Sequence, residues 1–428
     1  MKKFLSLSLA ALLLLGLLAG CGARPPVSSD ETTRSPADAT EILQQRREEA
    51  EQYMRYMMSM LWQVDQPLTY SYKVNSGDIA IDRDNYICHL EPGKIYSGLP
   101  YTHGSGDAES FIHFGEFLDN GVLRMSNLTP DLLNGSGGVR KANNIARIGN
   151  DCADAVFAAW SRVSSSITFD NAANMTPKNG CIPVGNYKTV PDDADNYAIT
   201  GDICKENGEE VMFEAYAQMQ MADGLTVNTS SGAHAMLVFE VHTVRDGEQI
   251  NPEESYVLIH DQTSSNYKKE LTRLDDTVGQ EVYVMGGVER KFTFRKLFKS
   301  GYLPVTCKEF IDPAPLPAET VTDSEEGLTL DEDSMFAGAF ISNYRISDVT
   351  LEILDKDGAA LQKTICCAGG TDRNIFLLSR FEAELEQQVL AGKINWAQLQ
   401  RGQEYTCRFS CRLSTGLELT VREFTFTY

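Results

Sequence analysis

The sequence lacks the short motifs that mark several large enzyme classes. It contains no Gly-x-Ser-x-Gly elbow, no Walker A loop, no dinucleotide-binding fingerprint, no His-Glu-x-x-His and no Cys-x-x-Cys. These absences argue against elbow-type serine hydrolases, P-loop nucleotidases, dinucleotide-dependent enzymes, zinc peptidases and thioredoxin-like proteins. Histidine is also scarce, with six residues in 428. We expect neither a metal nor another cofactor, because four of the six do not show the spacing of metal ligands: His89, His103, His113 and His242.

Positive charge is in short supply as well. The chain has 38 Lys and Arg residues against 60 Asp and Glu residues, which gives a formal net charge of −22. An acidic protein of this kind is poorly suited to bind nucleic acid or an anionic surface by electrostatic attraction. We therefore expect no nucleic-acid partner and attribute the charge to solubility.

Residues 1–21 have the features of a bacterial lipoprotein signal. Lys2 and Lys3 give a positive start, and the apolar stretch at 4–17 is short for a membrane span. The stretch Leu-Ala-Gly-Cys at 18–21 resembles a lipobox, with Cys21 as the residue to be acylated. An ordinary secretory signal or an uncleaved anchor are the alternatives. We expect an extracytoplasmic protein held to the membrane by a lipid anchor, with residues 22–40 as a Pro- and Ser-rich tether.

Cysteines are too few for a dense disulfide framework. Some could form disulfides in an oxidising compartment. Cys407 and Cys411, however, alternate with apolar residues on one predicted strand face, as buried free thiols would. The sequence leaves both states open for eight cysteines: Cys88, Cys181, Cys204, Cys307, Cys366, Cys367, Cys407 and Cys411.

Cys152 stands at the beginning of an apolar pattern with helical spacing. Asn150 and Asp151, directly before it, are suitable N-cap residues. The unpaired N–H groups and the positive dipole end of a helix start favour a thiolate and can bind an oxyanion. The Asp151 carboxylate opposes a thiolate, so a histidine cation has to outweigh it. The predicted helix face consists of Cys152, Ala155, Val156, Ala159 and Val163.

Two histidines lie on consecutive predicted strands. His234 is near the start of the strand at 233–239, and His260 ends the strand at 256–260. In an antiparallel pair, the start of one strand lies beside the end of the next. We therefore expect His234 to be the base for Cys152, and His260 to be its neighbour and to fix the tautomer of its ring.

These three segments resemble the NlpC-type cell-wall endopeptidases, whose fold is papain-like. The resemblance covers roughly residues 90–310. It implies a nucleophile at Cys152, a base at His234 and a polar orienter at His260. It also makes Asp151 and Tyr101 candidates for contacts with the substrate or the oxyanion, because Tyr101 could supply a phenol from another loop.

The chain departs from the family pattern in three ways. The residue before the Asp-Cys pair is usually tyrosine, and a Ser-Gly pair usually follows the cysteine. The stretch between nucleophile and base is also longer than in compact members. The residues at the two substituted places are Asn150 and Ala153-Asp154.

The hydrophobic pattern divides the chain into an α+β part and an all-β part. Residues 41–63 are predicted to be an amphipathic helix, and 64–312 an NlpC-like, papain-like domain with a helix packed on an antiparallel sheet. A Pro-rich acidic linker is predicted at 313–327. Period-two alternation then predicts an immunoglobulin-like β-sandwich at 328–428, with a helix at 382–390 in one of its connections.

Two functions fit these features. The first is a surface-anchored cysteine hydrolase that cleaves an amide bond in peptidoglycan stem peptides. The second is a non-catalytic surface lipoprotein that keeps a hydrolase-like scaffold and binds glycan or protein. A Cys152 thiol within reach of a His234 nitrogen favours the first.

Overall fold

The computed structural model describes residues 36–76, 79–101, 116–117, 119–125, 149–263, 271–331, 333–367, 374–381, 389–391 and 394–428. The predicted signal at 1–21 with Cys21, and residues 22–35 of the predicted tether, lie outside this part of the chain. His103 and His113 lie outside it too.

The described residues form a mixed α+β protein, as expected for the fold class. The helices are α1 (Pro36–Ser59), α2 (Cys152–Trp160), α3 (Thr200–Asn207), α4 (Glu209–Ala217) and α5 (Phe294–Ser300). The strands are β1 (Leu61–Val64), β2 (Leu68–Ser76), β3 (Ile79–Leu90), β4 (Tyr96–Ser97), β5 (Glu116–Phe117), β6 (Leu123–Met125), β7 (Cys181–Pro183), β8 (Gly224–Thr229), β9 (Gly232–His242), β10 (Arg245–Asp246), β11 (Gln249–Ile250), β12 (Tyr256–Gln262), β13 (Thr272–Asp275), β14 (Gln280–Val284), β15 (Gly287–Thr293), β16 (Leu303–Cys307), β17 (Val321–Asp323), β18 (Ala339–Ser342), β19 (Ile346–Leu354), β20 (Ala360–Cys367), β21 (Ile375–Leu377), β22 (Val389–Ala391), β23 (Glu404–Leu413) and β24 (Glu418–Thr427).

A six-stranded antiparallel sheet organises the first part of the chain. Its strand order is β15-β12-β9-β8-β16-β7. Ala235 and Leu237 of β9 belong to a core shared with α1 and α2, whereas Met236 and Val238 belong to a core shared with α3, α4 and α5. The strand is apolar on both faces at this point because helices cover the sheet on both sides.

The N-terminal helix begins and ends earlier than its sequence pattern predicts. It spans Pro36–Ser59 rather than 41–63, and the last residues of the predicted helix form β1 instead. Its start also takes five residues from the predicted tether. Ala50 and Met57 of the predicted apolar stripe are buried, and Met54 is buried as well.

Three charged side chains of α1 that fall outside the apolar stripe are buried too. The Arg46 guanidinium donates to the carbonyl oxygens of Glu309, Asp312 and Ala314. Arg47 forms an ion pair with Asp223 at 2.7 Å, and Glu51 binds the central sheet as described below. These charges are tolerated inside because each has a polar partner. Together the contacts fix α1 against the central sheet.

A second sheet lies beside the first, with strand order β13-β14-β4-β1-β6-β5. It contains two parallel pairings, β1 with β6 and β4 with β14. β2 and β3 form a separate two-stranded ribbon, as do β10 and β11.

The C-terminal part consists of two antiparallel sheets around one core. Their strand orders are β22-β20-β19-β23-β24 and β17-β18-β21. Phe340 of β18 and Phe409 of β23 meet across the core with ring centroids 6.1 Å apart. The predicted alternation in β23 is present, because Cys407, Phe409 and Cys411 all face this core.

The predicted linker is in part a strand of this region. β17 lies within residues 313–327 and pairs with β18. Its Asp323 forms a buried two-bond ion pair with Arg422 of β24, at 2.7 and 2.6 Å. The segment is therefore anchored to the all-β part.

The helix predicted at 382–390 is not seen where the structure describes it. Residues 382–388 lie outside the described part, while Val389 and Leu390 belong to β22, which pairs with β20. Backbone pairing with the edge of the sheet prevails there over the helical spacing.

Candidate active site

Cys152 is the first residue of α2, and the residue before it caps the helix. The Asp151 carboxylate accepts a hydrogen bond from the Asp154 backbone N–H at 2.8 Å. Side-chain capping of this kind stabilises a helix start. The thiol therefore stands where the α2 dipole is positive and where first-turn N–H groups point. Cys152 is 5% exposed.

His234 lies near the start of β9, where it binds a carboxylate and is influenced electrostatically by the Cys152 thiol. Its Nε2 is 2.7 Å from Asp261 Oδ1. Burial by itself would lower the pKa of His234, but the charge and hydrogen bond of Cys152, together with those of Asp261, outweigh it and hold that pKa well above the ordinary value. With Nε2 on the carboxylate, Nδ1 is the nitrogen left to exchange a proton with the thiol. A readily protonated imidazole is what a base for Cys152 requires.

Asp261 is the group that orients the His234 ring. Its side chain is 2% exposed, and its second oxygen, Oδ2, lies 3.2 Å from Arg290 Nε. A buried carboxylate on the far nitrogen of an imidazole fixes the tautomer and stabilises the imidazolium. The sequence pattern indicated His260 for this role, and Asp261 is the residue directly after it.

His260 does not lie beside His234, which corrects that assignment. The pairing of β9 with β12 passes from Leu258 opposite Glu240 to Ile259 opposite Val238, so Phe239 is the extra residue of a β-bulge. A bulge shifts the register by one residue and exchanges the faces. In a regular ladder His260 would share a face with His234; beyond the bulge Asp261 shares it.

His260 instead joins the sheet to the N-terminal helix. It is 1% exposed, its Nε2 is 2.8 Å from Glu51 Oε1, and its ring stacks on Phe239 with centroids 4.5 Å apart. Burial would raise the pKa of Glu51, but the hydrogen bonds from His260 and Arg55 leave it below its ordinary value. This hydrogen bond joins β12 to α1 and is a structural contact.

Tyr101 is held beside the residues that precede the nucleophile. It forms a parallel bridge with Asn150 and is 9% exposed. Gln262 of β12 links the Tyr101 and Asn150 segments. Its Nε2 lies 3.1, 3.4 and 3.4 Å from the carbonyl oxygens of Leu99, Pro100 and Asn150. The loop that carries Tyr101 therefore adjoins the start of α2, as its predicted role requires.

Asp151 has a different part from the one predicted. Its carboxylate accepts a backbone N–H at the start of α2, and an ionised carboxylate has no hydrogen to donate to an oxyanion. The first-turn N–H groups of α2 are the candidate donors for that charge.

Cys152 differs from the other described thiols in its surroundings. Burial raises the pKa of Cys204 to about 11 and that of Cys366 to about 12, so these thiols stay protonated at neutral pH. None of the cysteines whose side chains the structure describes is in a disulfide: Cys152, Cys181, Cys204, Cys307, Cys366, Cys407 and Cys411. Among these described thiols, Cys152 is the one that helps to raise the pKa of a histidine, His234.

Tyr302 is a further residue that the sequence did not reveal. It follows α5 and is 8% exposed. Burial raises its pKa, and the negative charges of Asp261 and Cys152 raise it further. The Tyr302 phenol is therefore neutral, and it lies near enough to Asp261 and Cys152 for their charges to raise its pKa.

Comparison of the chain with protein-family models, with curated proteins and with solved structures gives no match. Within the described ranges, no group of three or more His, Cys, Asp or Glu side chains has the arrangement of a metal site. None of the helices built from those residues combines the length and apolarity needed to cross a membrane.

Proposed function

We propose that this protein is an extracytoplasmic thiol hydrolase that cleaves an amide bond, with peptidoglycan stem peptides as its substrate. One observation carries the proposal: His234 binds the buried Asp261 carboxylate through Nε2, and the Cys152 thiol helps to raise the pKa of the same ring. A nucleophile, a base and a group that orients the base are the parts that covalent amide hydrolysis needs.

The geometry supports the following sequence of steps. His234 Nδ1 takes the thiol proton while Cys152 Sγ attacks the carbonyl carbon. The N–H groups at the start of α2 bind the resulting oxyanion. Collapse of the tetrahedral intermediate breaks the C–N bond, and the leaving amine takes the proton from His234. Water then gives a proton to His234 while its oxygen attacks the thioester carbon. Collapse of this second intermediate breaks the C–S bond, His234 returns the proton to the sulfur, and the acid and the Cys152 thiol are released.

The finer assignments of fold belong to this proposal. A helix headed by the cysteine, packed with a sheet that carries the base and then the orienter, favours a papain-like arrangement of the NlpC type. Two antiparallel sheets around one core favour an immunoglobulin-like sandwich for the C-terminal part. The signal pattern at 1–21 is the basis for export and for lipid attachment at Cys21.

The test is to incubate the full chain with soluble muropeptides and free stem peptides and to identify new amines by mass spectrometry. Cys152→Ser and His234→Ala should each lower the rate by a factor of about 10³ or more, because the nucleophile and base act as a unit. His242→Ala is the matched control, since His242 is an exposed histidine on the same strand.

Two results together would overturn the proposal. The first is that the wild-type chain cleaves none of these peptides. The second is that iodoacetamide modifies Cys152 no faster than it modifies free cysteine. A non-catalytic surface protein that binds glycan or protein would then be the better description.

A further inference from the structure

The Asp261 carboxylate is bound from two sides. Oδ1 lies 2.7 Å from His234 Nε2, and Oδ2 lies 3.2 Å from Arg290 Nε. The carboxylate is 2% exposed, whereas the Arg290 side chain is 39% exposed. The inner partner is thus the histidine of the site, and the outer partner is a cation that reaches solvent.

The register of the sheet explains why Arg290 reaches this carboxylate. β15 pairs with β12 so that Val288 is opposite Asp261 and Arg290 is opposite Ile259. Residues of the same parity share a face of the sheet, and a diagonal neighbour is within reach of a long side chain. Asp261 and Arg290 are such a diagonal pair.

A buried carboxylate without a second partner would be a poor orienter. Taking an anion out of water favours its neutral form, and a neighbouring cation restores the ionised form. A guanidinium also fixes the carboxylate in the plane of its hydrogen bonds. Both effects act on the Asp261 carboxylate, whose Oδ1 binds the His234 ring.

We propose that Arg290 is a positioning residue of this site: it binds Oδ2 of Asp261 and aligns the carboxylate, so that Asp261 holds the His234 ring toward Cys152. The inference rests on the proposed function, because only a reacting thiol gives this alignment a purpose. Arg290 acts through Asp261, to which its Nε is bound.

The other charged and titratable groups around the ring come from four elements. Cys152 faces it from α2 and Asp261 from β12, with Arg290 of β15 behind the carboxylate. The Tyr302 phenol, after α5, is influenced by Asp261, Cys152 and Arg290. Asp151 adjoins Cys152, and its carboxylate is occupied by the helix cap. Arg290 is the cation in this set that contacts the orienting carboxylate.

The experiment follows the ring itself, independently of turnover. The full chain is labelled with 13C-histidine, the His234 signal is assigned by its loss in His234→Ala, and its titration is recorded by NMR. In Arg290→Lys, which keeps the positive charge but loses the guanidinium contact with Oδ2, the titration should move to lower pH, because a misaligned Oδ1 binds the imidazolium less well. Arg290→Gln also removes a nearby positive charge, which favours the imidazolium, so kcat is the measurement for that variant. On a cleaved peptide, kcat should fall by about tenfold with KM little changed.

The control and a stability measurement keep the test decisive. Arg245 is similarly exposed, at 43%, and binds the Glu214 carboxylate outside the site, so Arg245→Gln should leave the His234 titration unchanged. Melting temperatures are compared for all variants. If Arg290→Lys lowers only the melting temperature and leaves the His234 titration unchanged, or if Arg245→Gln moves that titration equally, the inference is overturned. Absence of turnover in wild type would count against the proposed function, while the titration would still decide the role of Arg290.

Discussion

The central sheet holds two histidine–carboxylate pairs of nearly equal length in very different surroundings. His234 Nε2 is 2.7 Å from Asp261 Oδ1, and His260 Nε2 is 2.8 Å from Glu51 Oε1. The His234 side chain is 27% exposed and is influenced by a thiol. The His260 side chain is 1% exposed and lies beneath α1. A short hydrogen bond to a carboxylate is therefore not what distinguishes a candidate base.

The difference lies in what each pair connects. The first joins two neighbouring strands, and its histidine is influenced by the Cys152 thiol. The second joins a strand to a helix, because Glu51 belongs to α1 and also accepts hydrogen bonds from Arg55 at 3.0 and 2.6 Å. One pair has the parts for chemistry, and the other holds the N-terminal helix on the sheet. Changing each carboxylate to its amide separates the two roles.

The largest effect is expected from Asp261→Asn. The amide keeps the shape of the side chain but removes the charge that stabilises the His234 imidazolium and favours the wrong tautomer. We expect kcat for peptide cleavage to fall by about 10²–10⁴, as for the loss of charge at an equivalent carboxylate. Single-turnover rates on a cleaved muropeptide measure this directly.

The same isosteric change in the other pair is the control. Glu51→Gln should leave kcat per folded molecule within about twofold of wild type, because no reacting group depends on it. Equal losses of kcat in both variants would show that the two pairs are not separate in function, and the comparison would have to be abandoned.

A smaller effect, on stability, is expected from Glu51→Gln. Removing the carboxylate leaves His260 and Arg55 without their shared partner inside the structure. Breaking a buried ion pair from one side costs about 3 kcal/mol of unfolding free energy. Urea unfolding of the full chain measures the loss, with Asp261→Asn run in parallel.

An exposed ion pair provides the scale for that result. Arg245 and Glu214 are 43% and 41% exposed, and Glu214→Gln should cost less than about 1 kcal/mol. A cost for Glu51→Gln that does not exceed the cost for Glu214→Gln would mean that the buried pair does not hold α1 in place.

Local patterns made part of this arrangement predictable from the sequence. A capping residue followed by apolar positions at helical spacing placed the start of α2 at Cys152. Alternation placed His234 on one strand and His260 on the next. Both signals come from residues close in sequence, which is why they survive into the folded structure.

The orienter could not be predicted because it depends on a long-range irregularity. Regular pairing of β9 and β12 would put His260 on the face of His234, and the bulge at Phe239 puts Asp261 there instead. A bulge of one residue leaves no mark in the alternation of either strand read alone. The adjacent carboxylate was nevertheless a visible alternative, since one slip of register exchanges the two neighbours.

Long-range contacts also bury charged residues whose burial no local pattern indicates. Arg47 and Glu51 fall outside the apolar stripe of α1, yet both are buried, Arg47 against Asp223. The acidic linker likewise supplies Asp323 as the partner of Arg422 in the C-terminal core. The partners of Arg47 and Arg422 are 176 and 99 residues away in the sequence, so local patterns cannot identify them.

The smallest expected effect is a difference in how the two pairs make stability depend on pH. Burial raises the pKa of Glu51, and hydrogen bonds from His260 and Arg55 bring it below the ordinary 4.5. Its contribution is therefore fully present above about pH 4.5 and is lost as the pH falls through the folded-state pKa. The pKa of His234 is raised above 6.5 despite its burial, by Cys152 and Asp261. Its contribution is fully present below about pH 6.5 and is lost as the pH rises through the folded-state pKa.

In urea unfolding at a series of pH values, Glu51→Gln should flatten the pH dependence of the unfolding free energy on the acid side alone, and His234→Ala should flatten it on the alkaline side alone. If Glu51→Gln also changed the pH dependence of stability on the alkaline side, the Glu51–His260 and Asp261–His234 pairs would be coupled, which contradicts the separation of their roles.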